Sequence, residues 1–209
     1  MRAEWLVPGD EDRMEAAVRE AELQTAAELV VVVARRGEEY RDVPLYAAMA
    51  AAVAALAFML YSPILFNELL ILPDALLVGL AAVWTARRTP ALARLCTCTE
   101  RRRRAAERAA HLAFVDHGVT ATKDRTGILV HYTALERRLT ILADFGVQGK
   151  VPAARFHAIV SQFEKDRVGD GLGPALAAAI RAVGPAVAKE VPHQADDVNE
   201  LPDRPRVDA

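Results

Sequence analysis

Two carboxylates, Asp124 and Asp144, stand at the ends of two short β-rich runs, GILVHYT at residues 127–133 and RLTILAD at residues 138–144. If residues 134–137 form the loop between these runs, Thr133 faces Arg138. Counting outward then brings Asp144 opposite Gly127, which follows shortly after Asp124, so the two acids share one end of a sheet. Paired carboxylates are hard oxygen ligands suited to Ca²⁺ or Mg²⁺, which complete their shells with carbonyls and water. An ion held there with an open position would support metal-assisted hydrolysis. Asp124 also has a purely local reading, because Asp-Arg-Thr-Gly is turn chemistry. Arg125 beside it carries a guanidinium fork that fits a phosphate, and equally suits an exposed turn.

Other reactive side chains are arranged less pointedly. His111, His117, His131 and His157 do not recur at a metal-ligand spacing, and His131 alternates along its run as an ordinary strand residue does. Cys96 and Cys98 are the only cysteines, and two thiolates do not close a tetrahedral zinc site. The chain has no glycine-rich nucleotide fingerprint, no nucleophile elbow and no HExxH pair. With no activated nucleophile beside a base, covalent catalysis has no candidate residues.

The elements that would position the two acids can be read from periodicity. Residues 28–34, ELVVVVA, form an unbroken β-branched run expected of a central strand covered on both faces. Met14, Ala17, Val18, Ala21 and Thr25 recur at helical spacing, so a helix is expected over 13–27. Thr97 and Glu100 have capping-box spacing and open a helix that stops at Gly118. Pro152 suits a first helical position ahead of Phe156, Ile159, Val160 and Phe163. Leu172, Leu176, Ile180, Val183 and Val187 line a final helix. A strand at 28–34 needs neighbours, and these come only from 127–144, so residues 1–44 and 87–191 fold as one domain. The expected class is α/β, a small α/β/α sandwich. Residues 192–209, rich in Pro, Asp and Asn, read as a disordered tail.

What separates the halves of that domain is strongly apolar. LYAAMAAAVAALAFMLYSPILF at 45–66 and LLILPDALLVGLAAVWTA at 69–86 contain no Lys or Arg, and a helix of roughly 20 apolar residues crosses ~30 Å of hydrocarbon. A two-helix transmembrane hairpin over residues 45–86 is therefore expected, turning at Asn67 and Glu68. Its second helix is marginal in length, with Pro73 and Asp74 near the headgroups and Tyr46 and Trp84 at the opposite interface. Arg35, Arg36 and Arg41 precede the pair, and Arg87, Arg88, Arg94 and the run Arg101 to Arg104 follow it. This bias predicts an integral protein of the plasma (inner) membrane with its soluble domain in the cytoplasm. MRAEWLVPGDEDR lacks the apolar core of a secretory signal. A formal net charge of −2 argues against nucleic acid, and the arginine run beside a membrane helix suits anionic headgroups better.

With these elements in order, TAAELVVVVARR at 25–36, DRTGILVHYTALERRLTILADFGVQGKVP at 124–152 and the Gly-Asp-Gly at 169–171 resemble the TPM domain family over about residues 13–191. The resemblance implies a compact α/β/α sandwich. It also implies, in some members, divalent-cation binding and acid phosphatase activity, and in others an auxiliary role in assembling or repairing membrane complexes. Asp124 and Asp144 match polar positions flanking the family's strand pair, and Asp170 matches its Gly-Asp before the last helix. The implied metal residues are thus Asp124, Asp144 and Asp170, with Ca²⁺ or Mg²⁺ as the ion. Asp170 also suits a turn or helix cap. Thr126 stands where members often have Asn, and Gln148 where they often have Glu. The expected function is a membrane-anchored binding or auxiliary module that docks on another membrane protein or on itself. The alternative is a divalent-cation-dependent phosphatase.

Overall fold

A computed structural model describes residues 6–64, 66–89, 94–193 and 200–208. The chain divides into two compact units, one made of residues 1–37 and 103–209, the other of residues 38–102.

The first unit is built on four strands, β1 (Leu29–Ala34), β2 (Ile128–Thr133), β3 (Arg138–Ala143) and β4 (Arg206–Asp208), in the order β3-β2-β1-β4. β1 runs parallel to β2 and β4, while β2 and β3 form an antiparallel hairpin. Thr133 faces Arg138, and the Asp144 amide donates to the Gly127 carbonyl at 2.8 Å, which is the expected register. Every residue of β1 and β2 is buried, because alternate side chains enter opposite layers. Leu29, Val31, Val33, Ile128, Val130 and Tyr132 pack with helices α1 (Asp10–Glu22), α6 (Ala153–Gly169) and α7 (Leu172–Val187). Val30, Val32 and Leu129 pack on the other side against Ala110 and Ala113 of α4 (Thr99–Asp116). The sheet is thus covered on both faces.

Several boundaries differ from expectation for local reasons. The first helix starts at Asp10 and ends at Glu22 rather than running over 13–27. Gly9 turns the chain at φ 95°, and the Asp10 carboxylate accepts the Val7 amide at 2.9 Å. At the other end the Thr25 hydroxyl donates to the Val191 carbonyl at 2.5 Å, drawing the chain out of helix. α4 begins at Thr99, where the Arg102 amide donates to the Cys98 carbonyl. Pro152 is the cap of α6, with ψ 130°, and not its first helical residue.

The largest correction concerns the tail. Residues 194–199 lie outside the described set, but 206–208 form β4 against β1. A three-residue strand of one apolar residue between two charged ones carries no periodicity; the open edge of β1 and the contacts of Arg206 and Asp208 with His117 hold it.

The second unit contains α2 (Asp42–Tyr61) and α3 (Ile71–Arg88). α2 stops at Tyr61, short of the expected 66, because Ser62 turns extended (ψ 142°) ahead of Pro63; Leu65 lies outside the described residues. Asn67 sits in the turn as expected, its side chain accepting the Leu69 amide at 3.0 Å. The helices approach closely at Gly79, where a Cβ would lie 3.4 Å from the Ala48 carbonyl and 3.5 Å from the Ala52 Cβ. At the base, the Arg101 guanidinium reaches Asp42 and Glu38, the latter at 2.8 Å, and lies 5.3 Å over the Tyr40 ring. This clasp joins the ends of the inserted segment. Both carboxylates hold the proton on Arg101 and raise its pKa.

Among the described residues, α2 is the one helix long and apolar enough to span a membrane, with 20 residues, mean hydropathy 2.1 and 6% of its apolar window buried. α3 does not reach that measure, since Asp74, Arg87 and Arg88 fall within its 18 residues. The expected second crossing therefore has weaker support than the first.

Candidate functional site

Asp144 closes β3 and caps the short helix α5 (Phe145–Gln148), accepting the Phe145 amide at 2.7 Å. Its two oxygens are also gripped by the Arg125 fork, Nε to Oδ2 at 2.7 Å and the second nitrogen to Oδ1 at 3.2 Å. Asp144 is buried while the Arg125 side chain is half exposed. Arg125 reaches this position from a left-handed backbone conformation, φ 58°. The turn is locked because the Gly146 amide donates to the Arg125 carbonyl at 2.9 Å, and a Cβ on Gly146 would strike the Asp124 and Arg125 carbonyls. The Thr122 hydroxyl accepts the Thr126 amide at 3.0 Å. Sequence therefore located this sheet end correctly and assigned its charge incompletely: Arg125 occupies the carboxylate that was to face a cation.

Asp124 lies exposed in the same turn. Asp170 is elsewhere, exposed at the C-terminal cap of α6, where its amide donates to the Asp166 carbonyl at 2.8 Å. Among the described residues no three His, Cys, Asp or Glu side chains gather closely enough to hold a metal ion. The described residues do not fit a Ca²⁺ or Mg²⁺ shell: Asp144 is paired with Arg125 and spends an oxygen on a helix cap, while Asp124 stands exposed in the turn. Cys96 and Cys98 are both exposed thiols.

Sequence reasoning passed over the α4-facing side of the sheet. His131, on β2, is 2% exposed, and its Nδ1 has no hydrogen-bond partner among the described residues. Burial lowers its pKa to about 4, with Asp208 opposing that shift and His117 adding to it. Toward the sheet edge, His117 Nδ1 accepts from Arg206 at 2.7 Å and Nε2 donates to Asp208 at 3.3 Å. The sequence read His131 as an ordinary strand residue, and its burial follows from β2 being covered on both faces; nothing local to residues 206–208 signalled their partners.

No family model matches this chain, and no curated protein matches it. Among solved structures it is similar to the NMR structure of the BA42 protein from the psychrophilic bacterium Bizionia argentinensis, with a TM-score of 0.60 at 15% identity over 99% of this chain and 98% of that one. At that identity the likeness concerns the fold alone.

Proposed function

We propose that this chain is a membrane-anchored, TPM-like binding module, held at the inner membrane by α2 and α3 with its α/β domain in the cytoplasm. There the domain docks on another membrane protein or on a second copy and assists the assembly or upkeep of a membrane complex. The observation that carries the reading is the outward orientation of the large side chains of the apolar helices. Leu45, Met49, Val53, Phe58 and Leu60 of α2, and Leu72, Leu76, Leu77, Leu80 and Trp84 of α3, are all more than half exposed. A hairpin of a water-soluble core would bury them, at about 1.5–3 kcal/mol each, whereas hydrocarbon is a natural surrounding for such a face. Trp84, with Arg88 stacked 4.3 Å over its ring, makes an aromatic and cationic end of the kind found at an interface. The TPM-like motifs and the fold shared with BA42 support the domain assignment.

The divalent-cation phosphatase is the weaker reading, since Arg125 neutralises Asp144 and Asp170 stands apart. Affinity purification of the tagged chain from native membranes, after crosslinking, tests the module. Recovery of a membrane partner or of a second copy is expected; recovery of the chain alone, as a monomer, contradicts the proposal. Hydrolysis of a generic phosphoester that needs Mg²⁺ or Ca²⁺ and is lost in Asp124→Ala would instead favour the enzyme.

A further inference from the structure

We propose that residues 200–208 are an exchangeable strap, and that the seat they occupy along β1 takes the same segment of a second copy of this chain. The inference rests on the reading above in one respect, that copies of the protein meet in a membrane.

The seat is an open edge of a parallel strand. Arg206, Val207 and Asp208 pair with Val32, Val33 and Ala34, and the Arg35 amide donates to the Asp208 carbonyl at 3.1 Å. Without the strap, β1 would present a row of unmet amides and carbonyls, a ready template for another extended chain. Charge complementarity identifies which chain. His117 accepts from Arg206 with one ring nitrogen and donates to Asp208 with the other, so a basic and an acidic residue two positions apart are both required. Arg19 holds Asp203 at 3.1 Å, and Glu28 accepts the Leu201 amide at 3.3 Å. Leu201 also packs on the apolar layer that contains Val30 and Val32. Each of these contacts joins a residue of the body to one in the segment 201–208, so the segment fits the seat of any copy as well as its own.

The grip is suited to exchange. Among the described residues three pair, Pro202 and Pro205 lack amides with which to lengthen the ladder, and the Arg19 side chain is 64% exposed, where ion pairs hold weakly. Tethering to the end of α7 favours closure within one chain; copies concentrated in a bilayer with a common orientation favour closure between chains.

The test uses the full chain carrying Cys96→Ser and Cys98→Ser, in membranes. One tagged version bears Val33→Cys and a differently tagged version bears Val207→Cys, a pair adjacent in the observed register; the two are co-expressed and oxidised. A disulfide-linked product carrying both tags is expected, and it should fall away when the Val207→Cys chain also carries Arg206→Glu and Asp208→Arg. Absence of the two-tag product, while a single chain bearing both cysteines closes on itself, overturns exchange. Failure of that single chain to close overturns the seat itself. A second readout leaves the core untouched: co-purification of two differently tagged wild-type chains should be lost when both end at residue 199, and its persistence would assign self-association to another surface. Recovery of a different membrane partner in any of these cases leaves the module reading standing and removes only the strap.

Discussion

At the scale of single residues, two buried polar side chains on or beside the sheet, His131 and Asp144, do different work. His131 is held neutral by burial, with a pKa of about 4 when folded, against about 6.5 in an unfolded chain. The unfolded state therefore binds the extra proton between those values, and stability is lost as pH falls from about 6.5 toward 4. The full loss is about 3 kcal/mol. Urea midpoints measured from pH 7 to pH 5 should fall steeply for the native protein and less so for His131→Leu; parallel curves would exclude His131 as the cause. Asp144 acts as a cap and as the partner of Arg125. Asp144→Ala should cost about 1–2 kcal/mol, chiefly from the lost cap, because the half-exposed guanidinium is readily rehydrated. An unchanged denaturation midpoint would show that the turn does not depend on it. The sequence register placed Asp144 opposite Gly127 correctly, since strand alternation and loop length determine both. The ion pair was not legible, because it depends on Arg125 adopting a left-handed backbone that residue type alone does not announce.

At the scale of elements, helix contacts in the α/β unit depend on missing side chains. α7 lies so close to α1 that a Cβ on Gly184 would sit 2.7 Å from the Ala21 carbonyl. Gly184→Ala should destabilise by about 1–3 kcal/mol through overpacking, although alanine is the better helix former. Gly169→Ala, whose Cβ would meet nothing within 4 Å, should leave the stability read from thermal denaturation within about 0.5 kcal/mol of native. Equal effects at the two sites would contradict the packing. β1, β2 and β3 were readable from sequence because β-branched runs and a short loop are local signals. Pro63 and the Ser62 turn shortened α2 through a rule that was equally local. β4 was not readable, since what makes it a strand lies in distant partners, the edge of β1 and His117, and not in any local pattern of its own.

At the scale of the molecule, residues 38–102 interrupt the α/β unit in sequence, and the Arg101 clasp to Glu38 and Asp42 draws the two ends of the insertion together. Such an insertion leaves the surrounding fold intact, which is why strands separated by the apolar segment could be assigned to one sheet from their patterns alone. The membrane role proposed for that segment rests on length, apolarity and outward-facing side chains, strongest for α2. The most direct measurement is flotation of cell membranes after an alkaline wash, comparing the full chain with one in which residues 45–86 are replaced by a short polar linker. The full chain should float with the lipid after the wash and the replaced chain should remain in the soluble fraction; a full chain that is released, or a replaced chain that still floats, would contradict anchoring by this segment.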